Sequence, residues 1–246
     1  MAKKELPKVI IVFIILTAAI IGIYAAKKII NRNSLAAQIA ALSPRGTPPQ
    51  TIEDLRRAIS LYEKKLEEHI KDTVKTGVYW KILGSRLMDG RQPQYGEALK
   101  ALENAVRYYP DDESIHYLIG VSAGNLARSE YFSPREQEEH YRLAEAAYLR
   151  ALDLYDRYAK ALYGLGVLYI YALNRPEEAI PHMELYLDIN TRDTDGMFVL
   201  AAARYMTEDF EGAVNIYDRI ISLTKNKDVK MQAELNRQQV MDEWYR

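Results

Sequence analysis

The side chains best suited to chemistry are few and scattered. His69, His116, His140 and His182 show no spacing that would bring two imidazoles to one metal. Glu138-Glu139-His140 is the densest titratable run and reads as the wet face of a helix rather than a ligand set. Gly164-Leu165-Gly166 lacks the third glycine and the lysine that a phosphate-cradling loop requires. Asp111-Asp112-Glu113 has the form of negative charge gathered at a helix N-terminus, where the dipole favours it. The chain contains no cysteine, which removes thiolate zinc sites, sulfur nucleophiles and disulfides but leaves the compartment open. Neither a catalytic centre nor a cofactor or metal site is expected, and the chain reads as a non-enzyme.

The elements that would position any site fall into two unlike pieces. Residues 1–50 carry seven Lys or Arg against Glu5 alone, a net of +6, so the remaining 196 residues hold −7. Val9 to Ala26 is a run of 18 uncharged residues between Lys8 and Lys27. As a helix it would be about 27 Å long, close to the roughly 30 Å of bilayer hydrocarbon, with lysines at both ends to reach the headgroups. Residues 9–26 are therefore expected to form a single N-terminal transmembrane anchor, uncleaved because Lys27-Lys28 follows without a small-x-small site. Basic residues flank the run almost equally, so orientation stays open. The short basic tail favours a bacterial cytoplasmic membrane with the soluble part in the periplasm. Ala18, Gly22 and Ala26 share one helix face, which allows homodimerisation through the anchor. The expected domains are an anchor with its helical continuation (1–42), a Pro-rich linker (43–50), an N-terminal capping helix (51–76), four repeats (77–112, 113–158, 159–193 and 194–227) and a C-terminal capping helix (228–246).

The repeats follow from self-similarity. Leu162, Leu165-Gly166, Tyr169, Ala179, Met183 and Tyr186 form the clearest copy. Trp80, Leu83-Gly84, Leu87, Ala98, Leu102, Ala105 and Pro110 form the first; His116, Ile119-Gly120, Ala123, Ala144, Tyr148 and Ala151 the second; Met197, Leu200-Ala201, Arg204, Ala213, Tyr217 and Ile220 the fourth. Small residues at fixed offsets let two helices approach, and the expectation is that Gly84, Gly120, Gly166 and Ala201 face Ala98, Ala144, Ala179 and Ala213. Large residues at the other offsets fill the space between neighbouring pairs. The second copy has about twelve extra residues between its helices. Ser133-Pro134-Arg135-Glu136 there has the form of a capping box, predicting a long second helix from that point. The resulting hairpin is either a docking surface or an elongated pair packed on its neighbours. In the last helix, Met231, Leu235, Met241 and Tyr245 form the expected docking stripe, with Gln232, Asn236, Gln239 and Glu243 in water.

This pattern closely resembles the tetratricopeptide repeat over about residues 77–227. The resemblance implies an all-α solenoid of about four helix-turn-helix repeats with capping helices, preceded here by the anchor. It further implies that the first helices of the repeats line a concave groove for a protein partner. The groove positions are then Lys81, Ser85, Met88, Tyr117, Val121, Lys160, Tyr163, Val167, Ile170, Phe198, Ala202 and Tyr205. The family's chaperone-binding members hold a C-terminal carboxylate with five basic and asparagine residues. Lys81 and Lys160 match two of these, and Ser85, Leu118 and Gly164 replace the other three. The groove is otherwise aromatic and aliphatic, which fits an apolar segment or amphipathic helix. The alternative is that some of these residues are simply buried, or that a chain terminus covers them. Nucleic acid is not expected, because a −7 domain repels a phosphate backbone. The implied function is a membrane-anchored scaffold, with a cytosol-facing import receptor and a ligand-holding accessory of a solute transporter as alternatives.

Overall fold

The computed structural model describes residues 37–38, 52–129 and 131–245; the expected membrane span 9–26 and the linker 43–50 lie outside them. Among the described residues there are nine helices and no strand. They are α1 (Ile52–Met88), α2 (Tyr95–Val106), α3 (Glu113–Ala127), α4 (Pro134–Leu154), α5 (Ala159–Tyr171), α6 (Pro176–Ile189), α7 (Thr194–Met206), α8 (Phe210–Leu223) and α9 (Lys227–Trp244). Among the described residues no helix is long and apolar enough to cross a membrane.

The chain divides into two compact units, residues 1–73 and 74–246. In the second unit the end of α1 pairs with α2, then α3 with α4, α5 with α6 and α7 with α8, and α9 docks on α8. No helix boundary separates 51–76 from 77: a single helix runs through to Met88. Gly77 is not a stop signal but a place of close approach, since a Cβ there would lie 2.5 Å from the Cβ of Tyr108 and 2.6 Å from the Tyr109 ring. The turn after α1 is made at Gly90, whose φ of +96° suits a residue without a side chain.

The glycines at the helix crossings make their nearest approach to other side chains than the expected alanines. A Cβ on Gly84 would meet Leu102, on Gly120 it would meet Tyr148, and on Gly166 it would meet Met183. Each partner lies one turn beyond the alanine that periodicity singles out. The glycine therefore makes room for a large side chain, and the alanines Ala98, Ala144 and Ala179 are fully buried beside it. The extended cluster built this way runs from Ala123 on α3 to Val240 on α9. A smaller cluster of Leu99, Leu102, Ala105, Ile115, Ile119 and Ala147 joins α2 to α3 and α4.

Helix α4 starts where its sequence directs. The Ser133 backbone N–H donates to Glu136 Oε2 at 2.8 Å, Ser133 Oγ accepts from the Glu136 N–H at 3.4 Å, and Pro134 opens the helix. Polar ties then join α4 to its neighbours. Glu145 pairs with Arg175 at the start of α6 and accepts from the Tyr169 hydroxyl of α5 at 3.0 Å, while the Arg175 guanidinium lies 4.6 Å from the Tyr169 ring centre. Arg204 of α7 is a second tie, 2.5 Å from Glu184 of α6 and paired with Asp209, whose carboxylate caps α8 through the Gly212 N–H at 2.9 Å.

Helix α9 docks through another stripe than the one read from its sequence. Ala233 and Val240 are buried, with Val229 and Met241 packed beside them, and Arg237 reaches Asp218 of α8 at 2.6 Å. Met231, Leu235 and Tyr245 point outward and are exposed. Small Ala233 permits close approach to α8, which the larger residues on the other face do not.

Candidate functional site: a cleft between the first helices of two repeats

The twelve positions assigned to a groove fall into several environments. On α1, Lys81 Nζ is 2.7 Å from Asp112 Oδ2, so its charge is already paired. Ser85 is half-buried, and the Met88 sulfur accepts from the buried Ser122 hydroxyl at 2.9 Å. Tyr117 and Lys160 meet: the ammonium lies 5.9 Å from the ring centre, and Tyr148 and Tyr158 flank the same ring. Burial pushes the Tyr117 hydroxyl pKa up. Tyr163 packs on Tyr186 of α6 at 5.3 Å and Phe198 on Tyr217 of α8 at 6.0 Å. Ile170 is buried in the main cluster, while Val121, Val167 and Ala202 are half-buried at its edge. Tyr205 donates to Glu243 of α9, so the C-terminal helix holds that end of the row, and Glu243 is not a purely water-facing residue.

Asp112 shows how the row is fixed to the scaffold. Its carboxylate caps α3 by accepting from the N–H groups of Ser114 at 3.0 Å and Ile115 at 3.2 Å. Partial burial alone would raise its pKa, but Lys81, the Ser114 hydroxyl and the Ile115 N–H outweigh that and hold it below the usual carboxylate range. A lowered folded pKa gives a contribution that is complete above the unfolded value and is lost as pH falls through the folded one. Asp112→Ala is expected to lower stability by about 0.5–2 kcal/mol. Urea unfolding at neutral pH and near pH 2 checks this, the difference from wild type shrinking at the acid end.

A concave part of this surface lies between α3 and α5, over α4. It is a cleft of about 530 Å³. Gly124, Asn125 and Arg128 come from α3 and its C-cap, Tyr141 and Tyr148 from α4, and Gly164, Val167, Leu168, Tyr171 and Ala172 from α5 and its end. Of the twelve positions read from the sequence, Val167 alone lines it. The floor is the Tyr148 ring, held between two glycines: a Cβ on Gly120 would lie 2.5 Å from it and one on Gly164 2.8 Å. Burial, and then the neighbouring Tyr117, raise the Tyr148 hydroxyl pKa, so it stays a neutral phenol at any physiological pH. Arg128 is exposed at the rim, and Asn125 is held by donation to the Val121 carbonyl at 2.8 Å. Tyr141 belongs to the lengthened part of α4 and Arg128 to the end of α3, so the insertion in the second repeat builds one wall of the cleft. A sequence signal for it exists in Gly124, which has no counterpart in the repeat pattern.

No group of three or more His, Cys, Asp or Glu among the described residues is placed to hold a metal ion. His116 shares a 2.8 Å hydrogen bond with the Pro110 carbonyl. His182 stacks on Tyr169, and burial lowers its pKa. The cleft offers shape, aromatic surface and hydroxyl groups, which is the chemistry of binding.

Antiparallel helix pairs stacked in sequence order, with a concave cleft between first helices, define an α-helical repeat solenoid. A family model described as the tetratricopeptide repeat matches residues 135–195, from α4 to the start of α7. Over those residues the chain is similar to the tetratricopeptide repeat. It is 22% identical over 185 residues to a TPR repeat-containing protein of Borreliella burgdorferi, covering 75% of this chain and 79% of the relative. Among solved structures it is similar to MamA from Desulfovibrio magneticus RS-1, with a TM-score of 0.53 at 18% identity over 68% of this chain and 94% of the other. A thermophilic TPR protein of Thermus thermophilus gives a TM-score of 0.50 at 17% identity, over 72% of this chain and 87% of the other. At these identities the solved structures share the fold.

Proposed function

We propose that this protein is a membrane-anchored interaction scaffold of a bacterial envelope or motility assembly, and that it holds an apolar segment or amphipathic helix of a partner against α3 and α5. The observation that carries this reading is the cleft of about 530 Å³ with its Tyr148 floor, because a preformed concavity lined by aromatic and aliphatic surface is what such a segment requires. The charge division supports the anchor: residues 1–50 hold +6 and contain the 18 uncharged residues 9–26. Anchoring raises the effective concentration of partners in the same bilayer, so a modest affinity suffices. Import receptor and transporter accessory remain the competing readings, and both use the same cleft.

A photo-crosslinking residue at Tyr171, exposed on the cleft rim, tests the site in intact cells. The expected result is a discrete crosslinked band that is lost on Val167→Asp with the helical spectrum unchanged. A band unaltered by Val167→Asp rules the cleft out. Protease accessibility on intact membranes then separates a periplasmic scaffold from a cytosol-facing receptor.

A further inference from the structure

The first half of α1 carries a feature that the cleft does not use. Between residues 53 and 73 five large apolar side chains are exposed: Leu55 (40%), Ile59 (56%), Tyr62 (52%), Leu66 (61%) and Ile70 (53%). Four of these, Leu55, Ile59, Tyr62 and Leu66, continue with His69 and Thr73 at intervals of four, three, four, three and four, and Ile70 lies beside that line. The other faces carry Arg56, Arg57, Ser60, Glu63, Lys64, Glu67, Glu68 and Lys71, all exposed. Within this stretch only the small Ala58 is buried, at 7% exposure, and Leu61 is half-buried, so the large apolar residues are left without a partner stripe to cover them. A narrow seam with alternating three- and four-residue steps fits the layers of a second helix with the same rhythm.

We propose that this seam pairs in parallel with the same segment of a second copy of the chain, forming a short two-stranded coiled coil. Charge selects the orientation. An antiparallel pairing that overlaps residues 55–73 fully would set Glu63 against Glu63 and Lys65 against Lys65 of the second copy. Parallel pairing sets Lys65 against Ile70 and opposes no like charges. The chain outside the described residues points the same way: if residues 9–26 of two copies lie in one bilayer, both chains leave it in the same direction. That last support rests on the proposed anchor; the seam and its charges do not. Thr73 and His69 make weak layers, so the pairing is concentration-dependent and gains from confinement to a membrane.

The absence of cysteine makes the test direct. Single-cysteine variants of the full-length protein, Ile59→Cys and Leu66→Cys on the seam, Arg57→Cys and Lys64→Cys away from it, are oxidised mildly in native membranes. A disulfide needs Cα atoms within about 7 Å, a condition that like seam positions of two parallel helices meet. The expected result is rapid covalent dimer at 59 and 66, and formation about tenfold slower or absent at 57 and 64. Equal rates at all four positions, or no dimer at the seam, overturn the proposal. So does dimer only when Ile59→Cys and His69→Cys chains are mixed, which marks an antiparallel pair. The double substitution Ile59→Asp, Leu66→Asp should also reduce the detergent-purified protein to a monomer by light scattering; a retained dimer overturns it. Alkaline extraction of the same membranes reads the anchor separately: a protein that washes off but still crosslinks at 59 and 66 refutes the anchor and leaves the coiled coil standing.

Discussion

Tyr148→Ala is expected to cost about 3–5 kcal/mol, the range for deleting a buried aromatic side chain. The ring is 6% exposed, lies against Gly120 of α3 and Gly164 of α5, and meets Tyr117 at 6.1 Å between ring centres. Glycine backbones cannot grow toward the gap, so the lost ring leaves a void rather than a repacked core. Tyr148→Phe keeps the ring and should stay within about 1 kcal/mol of wild type, the worth of one typical hydrogen bond. Urea denaturation of both variants checks the pair. The same ring is the floor of the cleft, so the alanine variant should also lose partner crosslinking at Tyr171, and the phenylalanine variant should retain it. An equal loss of stability in the two variants relative to wild type would show that the hydroxyl, rather than the ring, is what the site needs.

Gly166→Leu should destabilise by about 1–3 kcal/mol through overpacking. A Cβ at this position alone would lie 2.2 Å from the Met183 sulfur and 3.8 Å from Val199, and Met183 is fully buried. Met183 is flexible, but no space surrounds it to flex into. The effect should therefore couple to its neighbour. In a double-mutant cycle Gly166→Leu with Met183→Ala should be less destabilised than the sum of the single changes, because each removes the other's fault. Strict additivity of the melting data would mean that these two helices cross elsewhere.

The repeat architecture is legible in the sequence because its physical causes are local and recur. A glycine, a large residue and an alanine at fixed offsets report one helix crossing, and four copies in phase report a stack. The partner across each crossing is displaced by one turn from the expected one, because periodicity gives the face of a helix and not the height at which its neighbour crosses. Leu102, Tyr148 and Met183 receive the glycines, and of the preceding alanines Ala98 comes near through its backbone, its carbonyl oxygen 3.3 Å from a Cβ on Gly84. Helix α9 misleads for another reason. Its large apolar residues lie on the outer side, and the side that docks is marked by Ala233 and Val240, which carry little weight in a count of hydrophobic residues. The cleft is the least legible part. Arg128 and Tyr141 reach it only through the lengths of α3 and α4, and the pairing of Tyr205 with Glu243 joins residues 38 positions apart. The expected boundary at 76/77 is absent because the missing side chain of Gly77 admits Tyr108 and Tyr109 to a helix that continues.

The way α9 docks has a consequence for assembly size. Every contact between successive repeats is heterologous: the surface a helix pair presents to its successor differs from the surface by which it receives its predecessor. Contacts of this type have no closing rotation, and an open final face would recruit another molecule head to tail and grow a filament. Helix α9 commits the Ala233–Val240 stripe to α8 and turns Gln232, Glu234, Gln238, Gln239 and Asp242 to the outside. A first helix docking on that face would cover the exposed Met231 and Leu235 but strand those polar groups, which disfavours head-to-tail growth from α9.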